Sequence, residues 1–140
     1  MRPVKIKISS RTIADEGELS SVTQAYKGEL TEKNGKFYVM YKEDAQSGLE
    51  DTKTTLKWDA ERIIILRSGG VKHRQEFAEG CTDNSVYQTP YLTMTLLTET
   101  RKLRVECSGG VWKLAADYLL YHGEALYGEM GILIEIEEEV

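Results

Sequence analysis

The sequence predicts an all-β protein, folded as a single antiparallel up-and-down β-barrel of about eight to ten strands that occupies residues 1–140 as one domain. Three observations carry this expectation. Apolar residues recur with a period of two, turn-forming residues punctuate the chain at strand-length intervals, and 140 residues suffice for one hydrophobic core. A meander of this kind either exposes two strand edges or closes on itself, and closure removes the edges. About eight strands enclose an interior that side chains just fill, or that holds one small ligand.

Each strand shows its own alternation. Val4, Ile6 and Ile8 interleave with Lys5, Lys7 and Ser9; Phe37, Val39 and Tyr41 follow Gly35. Leu56 and Trp58 alternate with Thr55 and Lys57, and Val71, His73, Gln75 and Phe77 alternate with Lys72, Arg74 and Glu76. Leu92, Met94 and Leu96 are separated by threonines; Leu103, Val105 and Cys107 by Arg104 and Glu106. Ile132, Ile134 and Ile136 close the chain. Such segments belong to sheets with one buried face. The run Ile63–Leu66 reads instead as a strand buried on both faces. Between strands, Asn34-Gly35 is a strong hairpin signal because both residues tolerate positive φ. Gly69-Gly70 and Ser108-Gly109-Gly110 serve likewise, Asp15-Glu16-Gly17 ends the first strand, and Ala45–Asp51 forms a longer polar loop. Residues 111–122 fit a helical spacing as well as alternation; strand is expected because every neighbour is strand and hairpin-linked strands need no crossover helix.

Composition narrows the function classes. The formal charge is −5, and the deficit of positive charge lies in residues 71–140, which hold 6 basic and 12 acidic side chains. Neutralising phosphates requires clustered Lys and Arg, so no nucleic-acid partner is expected. No apolar run approaches the roughly 20 residues that span a bilayer, and Lys5 and Lys7 interrupt any leader-like stretch. No membrane association and a cytoplasmic location follow as expectations. Cys81 and Cys107 stand apart, outside any C-x-x-C pair, and are expected as buried or half-buried free thiols.

No cofactor, metal site or catalytic residue is expected. His73 and His122 are the only histidines, and neither sits in a nucleophile or zinc motif. Ser68-Gly69-Gly70 lacks the lysine and following helix of a phosphate loop. What remains is a set of polar residues on the inward side of apolar strands. His73 and Gln75 share a face with Val71 and Phe77, Arg67 follows the run Ile63–Leu66, and Tyr87 and Tyr118, with Tyr38 and Tyr41, can bring hydroxyls to a pocket. Arg67, His73, Gln75, Tyr87 and Tyr118 are the candidate ligand-binding residues, an arginine in such a place being able to clamp a carboxylate or phosphate bidentately, or to pair with an internal Glu or Asp. The structural alternative is a set of core polar groups satisfied by one another.

The stretches Gly28-Glu29-Leu30, Asn34 to Glu43, Ile65 to Lys72, Gln75, Phe77, Gly80 and Tyr87 to Pro90 resemble a family of small bacterial proteins, the YwiB-like proteins, labelled only as a domain of unknown function. The resemblance spans nearly the whole chain; its specific part is the Arg67-Ser68-Gly69 turn with Phe77 and Gly80 downstream. It implies a calycin-like, lipocalin-like barrel, strand over residues 111–122, and no assigned activity. Three functions stand as expectations, in this order: a non-enzymatic barrel binding a small apolar or amphiphilic molecule; a filled barrel acting as a protein-interaction or homodimer module; and an unrecognised hydrolase or isomerase using Arg67 and a carboxylate.

Overall fold

A computed structural model describes residues 2–14, 17, 19–44, 49 and 51–139. These form ten strands and no helix: β1 (Arg2–Ala14), β2 (Leu19–Lys33), β3 (Lys36–Lys42), β4 (Thr52–Trp58), β5 (Ile63–Gly69), β6 (His73–Phe77), β7 (Thr82–Gln88), β8 (Thr93–Ser108), β9 (Val111–His122) and β10 (Ala125–Glu138). All ten belong to one antiparallel sheet in the order β6-β5-β4-β3-β2-β1-β10-β9-β8-β7. The sheet curls into a nearly closed barrel. Its first and last strands in sequence lie side by side, with β1 and β10 paired residue by residue from Val4↔Glu138 to Ala14↔Gly128.

The seam lies elsewhere, between β6 and β7, although these two strands are neighbours in sequence. One bridge joins them there, Lys72 and Gln88 exchanging two backbone hydrogen bonds of 2.9 Å. Further along, the Asp83 carboxylate accepts from the Glu76 backbone N–H at 3.1 Å, taking the place of a strand carbonyl.

Residues 34 and 35 make the expected tight turn, with φ of 55° at Asn34 and 75° at Gly35. That pair of left-handed residues matches the strand twist of a two-residue hairpin. Gly28 has a different role. It lies where β2 parts from β1 to pair with β3, and a Cβ there would sit 2.5 Å from the Met40 carbonyl oxygen and 2.9 Å from Ile6 Cδ1. Only a residue without a side chain allows this close approach.

Register places the inward residues of β3–β6 in three transverse rows. Phe37, Trp58, Ile63 and Phe77 form the first; Val39, Leu56, Ile65 and Gln75 the second; Tyr41, Thr54, Arg67 and His73 the third. On the opposite wall Trp112, Ile136, Ile6 and Tyr26 make one row, and Leu114, Ile134, Ile8 and Gln24 the next. Trp58, Leu56, Val39, Leu30, Phe77, Leu114 and Ile134 are essentially inaccessible, so one end of the barrel is packed solid. Phe37, Trp58 and Trp112 plug that end, with ring centroids 4.5–5.7 Å apart. Such aromatic pairs add about 0.5–1.5 kcal/mol each beyond their buried area.

Several expectations are refined. Residues 111–122 are strand. Met94–Leu96 and Leu103–Cys107 are two parts of β8, with Leu92 just before its start and a bulge at Arg101 between them. The extra residue moves the inward positions from odd numbers (Val105, Leu103) to even ones (Thr100, Thr98), which is why the two stretches read as separate strands. Both cysteines are free but exposed, not buried: Cys81 lies between β6 and β7, and Cys107 is next to the end of β8, opposite Trp112. Tyr38 faces outward, with Lys57 Nζ 5.4 Å from its ring centroid. Asp15, Glu16 and most of the loop Ala45–Asp51 lie outside the described residues.

Gly28→Ala is expected to destabilise the protein by about 2 kcal/mol, since the obstructing atom is backbone and cannot swing aside. Gly35→Ala is expected to cost about 1 kcal/mol, for its left-handed φ alone. Urea titrations check both; a Gly28→Ala protein as stable as the parent contradicts the close approach.

Candidate functional site

Above the apolar rows the interior turns polar. The third row, Tyr41–Thr54–Arg67–His73, crosses four adjacent strands on their inward side. Two-residue periodicity forces this: Arg67 stands two and four residues beyond Ile65 and Ile63, and His73 four before Phe77. The pleat therefore turns a guanidinium and an imidazole toward the core as surely as it turns the isoleucines. Arg67 and His73 are directly paired across β5 and β6.

Each polar group has a defined environment. Glu43, just past β3, continues the inward alternation of Phe37, Val39 and Tyr41. Its carboxylate side chain is 3% exposed, accepts a hydrogen bond from Thr54 Oγ1 at 2.7 Å, and lies 3.9 Å from Arg67 Nε. That separation is an ion pair without a hydrogen bond, and Arg67 Nε is buried with no hydrogen-bond partner. His73 is 7% exposed; its Nε2 lies 2.9 Å from Ser85 Oγ, and Nδ1 is buried without a partner. Ser85 Oγ also lies 3.5 Å from the Leu96 carbonyl, to which it can donate. Gln75 Nε2 donates to Thr98 Oγ1 at 2.9 Å. The Tyr87 ring meets the His73 ring edge-on at 5.3 Å, and Tyr118 meets Phe77 at 4.8 Å. Tyr26 and Tyr41 stack at 4.5 Å.

Burial, and next the Arg67 charge, push the His73 imidazole down to about 4, so it is neutral at pH 7. Burial raises the Tyr118 phenol to about 12 against the opposing pull of Arg67, and raises Tyr41 further still, helped by Glu43. Among the described residues the layer thus holds one guanidinium and one carboxyl side chain, with His73, Tyr41 and Tyr118 uncharged at pH 7. Chemically it can bind and orient a polar group. The Ser85–His73 contact joins two buried side chains, and among the described residues no acid hydrogen-bonds the Nδ1 of His73.

Three of the five candidate residues are brought into direct contact or pairing: Arg67 and His73 pair, and Tyr87 covers His73. Gln75 lies two residues on from His73 on the same face and bonds Thr98, and Tyr118, on β9, packs against Phe77. Glu43, Thr54, Ser85 and Thr98 complete the layer and were not anticipated. Glu43 was within reach of the sequence pattern, because it extends the odd-numbered alternation of β3 by one step. Ser85 was not, since β7 carries no apolar alternation strong enough to fix its face. Beyond the layer, Tyr87, Met94, Leu96, Leu120, Met130 and Ile132 continue the inward face and are half-buried, giving the polar groups an apolar surround.

His73 ties stability to pH. Its folded value of about 4 lies below the ordinary 6.5, so between those pH values the unfolded chain takes up a proton that the folded chain does not. Stability is therefore full above about pH 6.5 and falls as pH drops toward 4, by about 2–3 kcal/mol from this residue. Denaturant titrations at pH 7 and pH 4.5 on the parent and His73→Gln check this: the variant is expected to lose less stability on acidification. An equal loss in both proteins contradicts a buried neutral imidazole.

Comparison with known proteins places this architecture. A protein described as "Uncharacterized beta-barrel protein YwiB", from Bacillus subtilis (strain 168), is 24% identical over 122 residues, covering 87% of this chain and 84% of the relative. The crystal structure of the ywiB protein from Bacillus subtilis superposes with a TM-score of 0.85 at 21% identity, over 99% of this chain and 93% of that one. It shares the β-barrel fold. The family profile described as "Domain of unknown function (DUF1934)" matches residues 6–134, most of the barrel from β1 into β10. The chain belongs to the DUF1934 family, whose function is not established.

Proposed function

We propose that the protein is a non-enzymatic, calycin-like binding barrel that takes a small amphiphilic molecule, its polar head against Arg67 and His73 and its apolar part among the half-buried residues beyond them. The observation that carries this reading is the pair of orphaned polar atoms. Among the described residues, Arg67 Nε and His73 Nδ1 are both buried without a hydrogen bond, on side chains paired across two strands. A buried unsatisfied group costs about 1–3 kcal/mol, so two in one place call for an occupant. The solid aromatic end confines that occupant to the opposite half of the interior. Met94, Leu96, Leu120, Met130 and Ile132 offer its tail an apolar wall.

Native mass spectrometry of protein isolated from its own host tests the proposal. The expected result is a fraction carrying a bound small molecule that is absent from an Arg67→Ala/His73→Ala double variant. Uniformly unliganded protein under conditions that preserve the fold contradicts it.

A second reading is favoured by the β7–β8 hairpin, where Val86 is 52%, Leu92 48% and Tyr91 95% exposed. Clustered exposed apolar residues mark interaction surfaces, and here the occupant would be a second copy. The apolar residues on the outer face of β5 do not add to it, because Ile64 is walled by Lys57, Arg62, Arg74 and Glu76. Light scattering over a dilution series is expected to show a dimer that Tyr91→Ser weakens; a monomer at every concentration removes this reading.

A further inference from the structure

Resting on the binding reading above, we infer that the head group taken by Arg67 and His73 is an uncharged hydroxyl, as in an alcohol-bearing amphiphile, and not a carboxylate or an ammonium. Two independent features of the polar layer lead there.

The first is charge. Glu43, with its side chain 3% exposed, already stands 3.9 Å from Arg67 Nε, and His73 is neutral. The layer sums to zero. Thr54 Oγ1 holds the Glu43 carboxylate in place at 2.7 Å, so it is a fixed counter-charge and not a mobile one. An anionic head would meet that carboxylate inside a region shielded from water, and a cationic head would meet the guanidinium. Either adds an unpaired buried charge. A neutral head adds none.

The second is hydrogen-bond polarity. Arg67 Nε–H can only donate. The Ser85 hydroxyl has the Leu96 carbonyl within reach, which leaves its oxygen lone pair free to accept from His73 Nε2–H. In that tautomer Nδ1 carries a lone pair and can only accept. The opposite tautomer would leave two buried N–H donors, Arg67 Nε and His73 Nδ1, unpaired on side chains that are neighbours across β5 and β6. One buried donor and one buried acceptor on paired side chains are satisfied together by a group that accepts from Nε–H and donates to Nδ1. A hydroxyl does both. A carboxylate cannot donate, an ether cannot donate, and an ammonium cannot accept.

Matched probes decide the matter: 1-octanol, octanoate and methyl octyl ether, titrated into the full chain and followed by amide and His73 side-chain NMR. Octanol is expected to bind about tenfold or more tighter than either of the others, and His73 is expected to be protonated at Nε2 alone. Octanoate binding as tightly as octanol overturns the charge argument. The ether binding as tightly as octanol overturns the hydrogen-bond argument, since water then serves the orphaned pair; so does an imidazole protonated at Nδ1. Failure of all three probes to bind takes the binding reading down with it. Glu43→Gln gives a second, opposed readout. It keeps an acceptor for Thr54 but leaves the layer with a net positive charge, so octanoate is expected to overtake octanol. An unchanged order in a folded Glu43→Gln protein overturns the inference; if that variant does not fold, the tautomer and probe series on the parent still decide it.

Discussion

The ladder between β1 and β10 is the constraint on which the rest depends. It zips eleven consecutive residue pairs from opposite ends of the chain and turns a ten-strand meander into a barrel. Once that ladder is formed, every strand is fixed in register with its neighbours, and alternation alone decides which side chains face inward. The seam is left at β6–β7, where a short turn already holds the two strands together and a ladder is least needed. Contacts between chain ends are costly to form because they close the longest loop. Their completeness here indicates how much interior packing repays that closure.

The interior is graded, not uniform. The aromatic plug row and the row of Val39, Leu56 and Ile65 above it give the barrel its stability, while the third row carries an arginine, a histidine and a threonine at positions where the same pleat would as easily place valine or leucine. Natural sequences that break the local rule at one place in an otherwise consistent design do so most often where the protein acts. The layer is also internally economical. Glu43 offsets Arg67, Thr54 holds Glu43, and Ser85 engages one nitrogen of His73; among the described residues Arg67 Nε and His73 Nδ1 are left as a donor and a ring nitrogen without a partner on paired side chains, while Trp58 Nε1 and Thr100 Oγ1 are unsatisfied elsewhere in the interior.

Much of this was legible in the residues themselves, for identifiable reasons. Ile6 and Ile8, Val39 and Tyr41, Leu56 and Trp58 alternate so regularly that their faces, and the sheet, follow directly. Arg67, His73 and Gln75 could be placed inside because strongly apolar residues two positions away set their parity. Other features were hidden. The bulge at Arg101 shifts parity within one strand and so resembles a break between two. Cys107 follows Leu103 and Val105 in step, yet it is exposed one residue from the end of its strand, and alternation carries no information about which strand ends are covered. Ser85 lies in a polar strand with no parity signal, and the location of the seam is a property of closure that no local pattern encodes.

The most direct test of the account is a crystal structure of the protein isolated from its host, at a resolution that defines individual solvent atoms, read between Arg67 Nε and His73 Nδ1. The account predicts one oxygen within hydrogen-bond distance of both nitrogens, continuous with a tail directed toward Leu120 and Met130. A guanidinium swung onto the Glu43 carboxylate in a two-point pair, with the imidazole bonded elsewhere and no space between them, contradicts it.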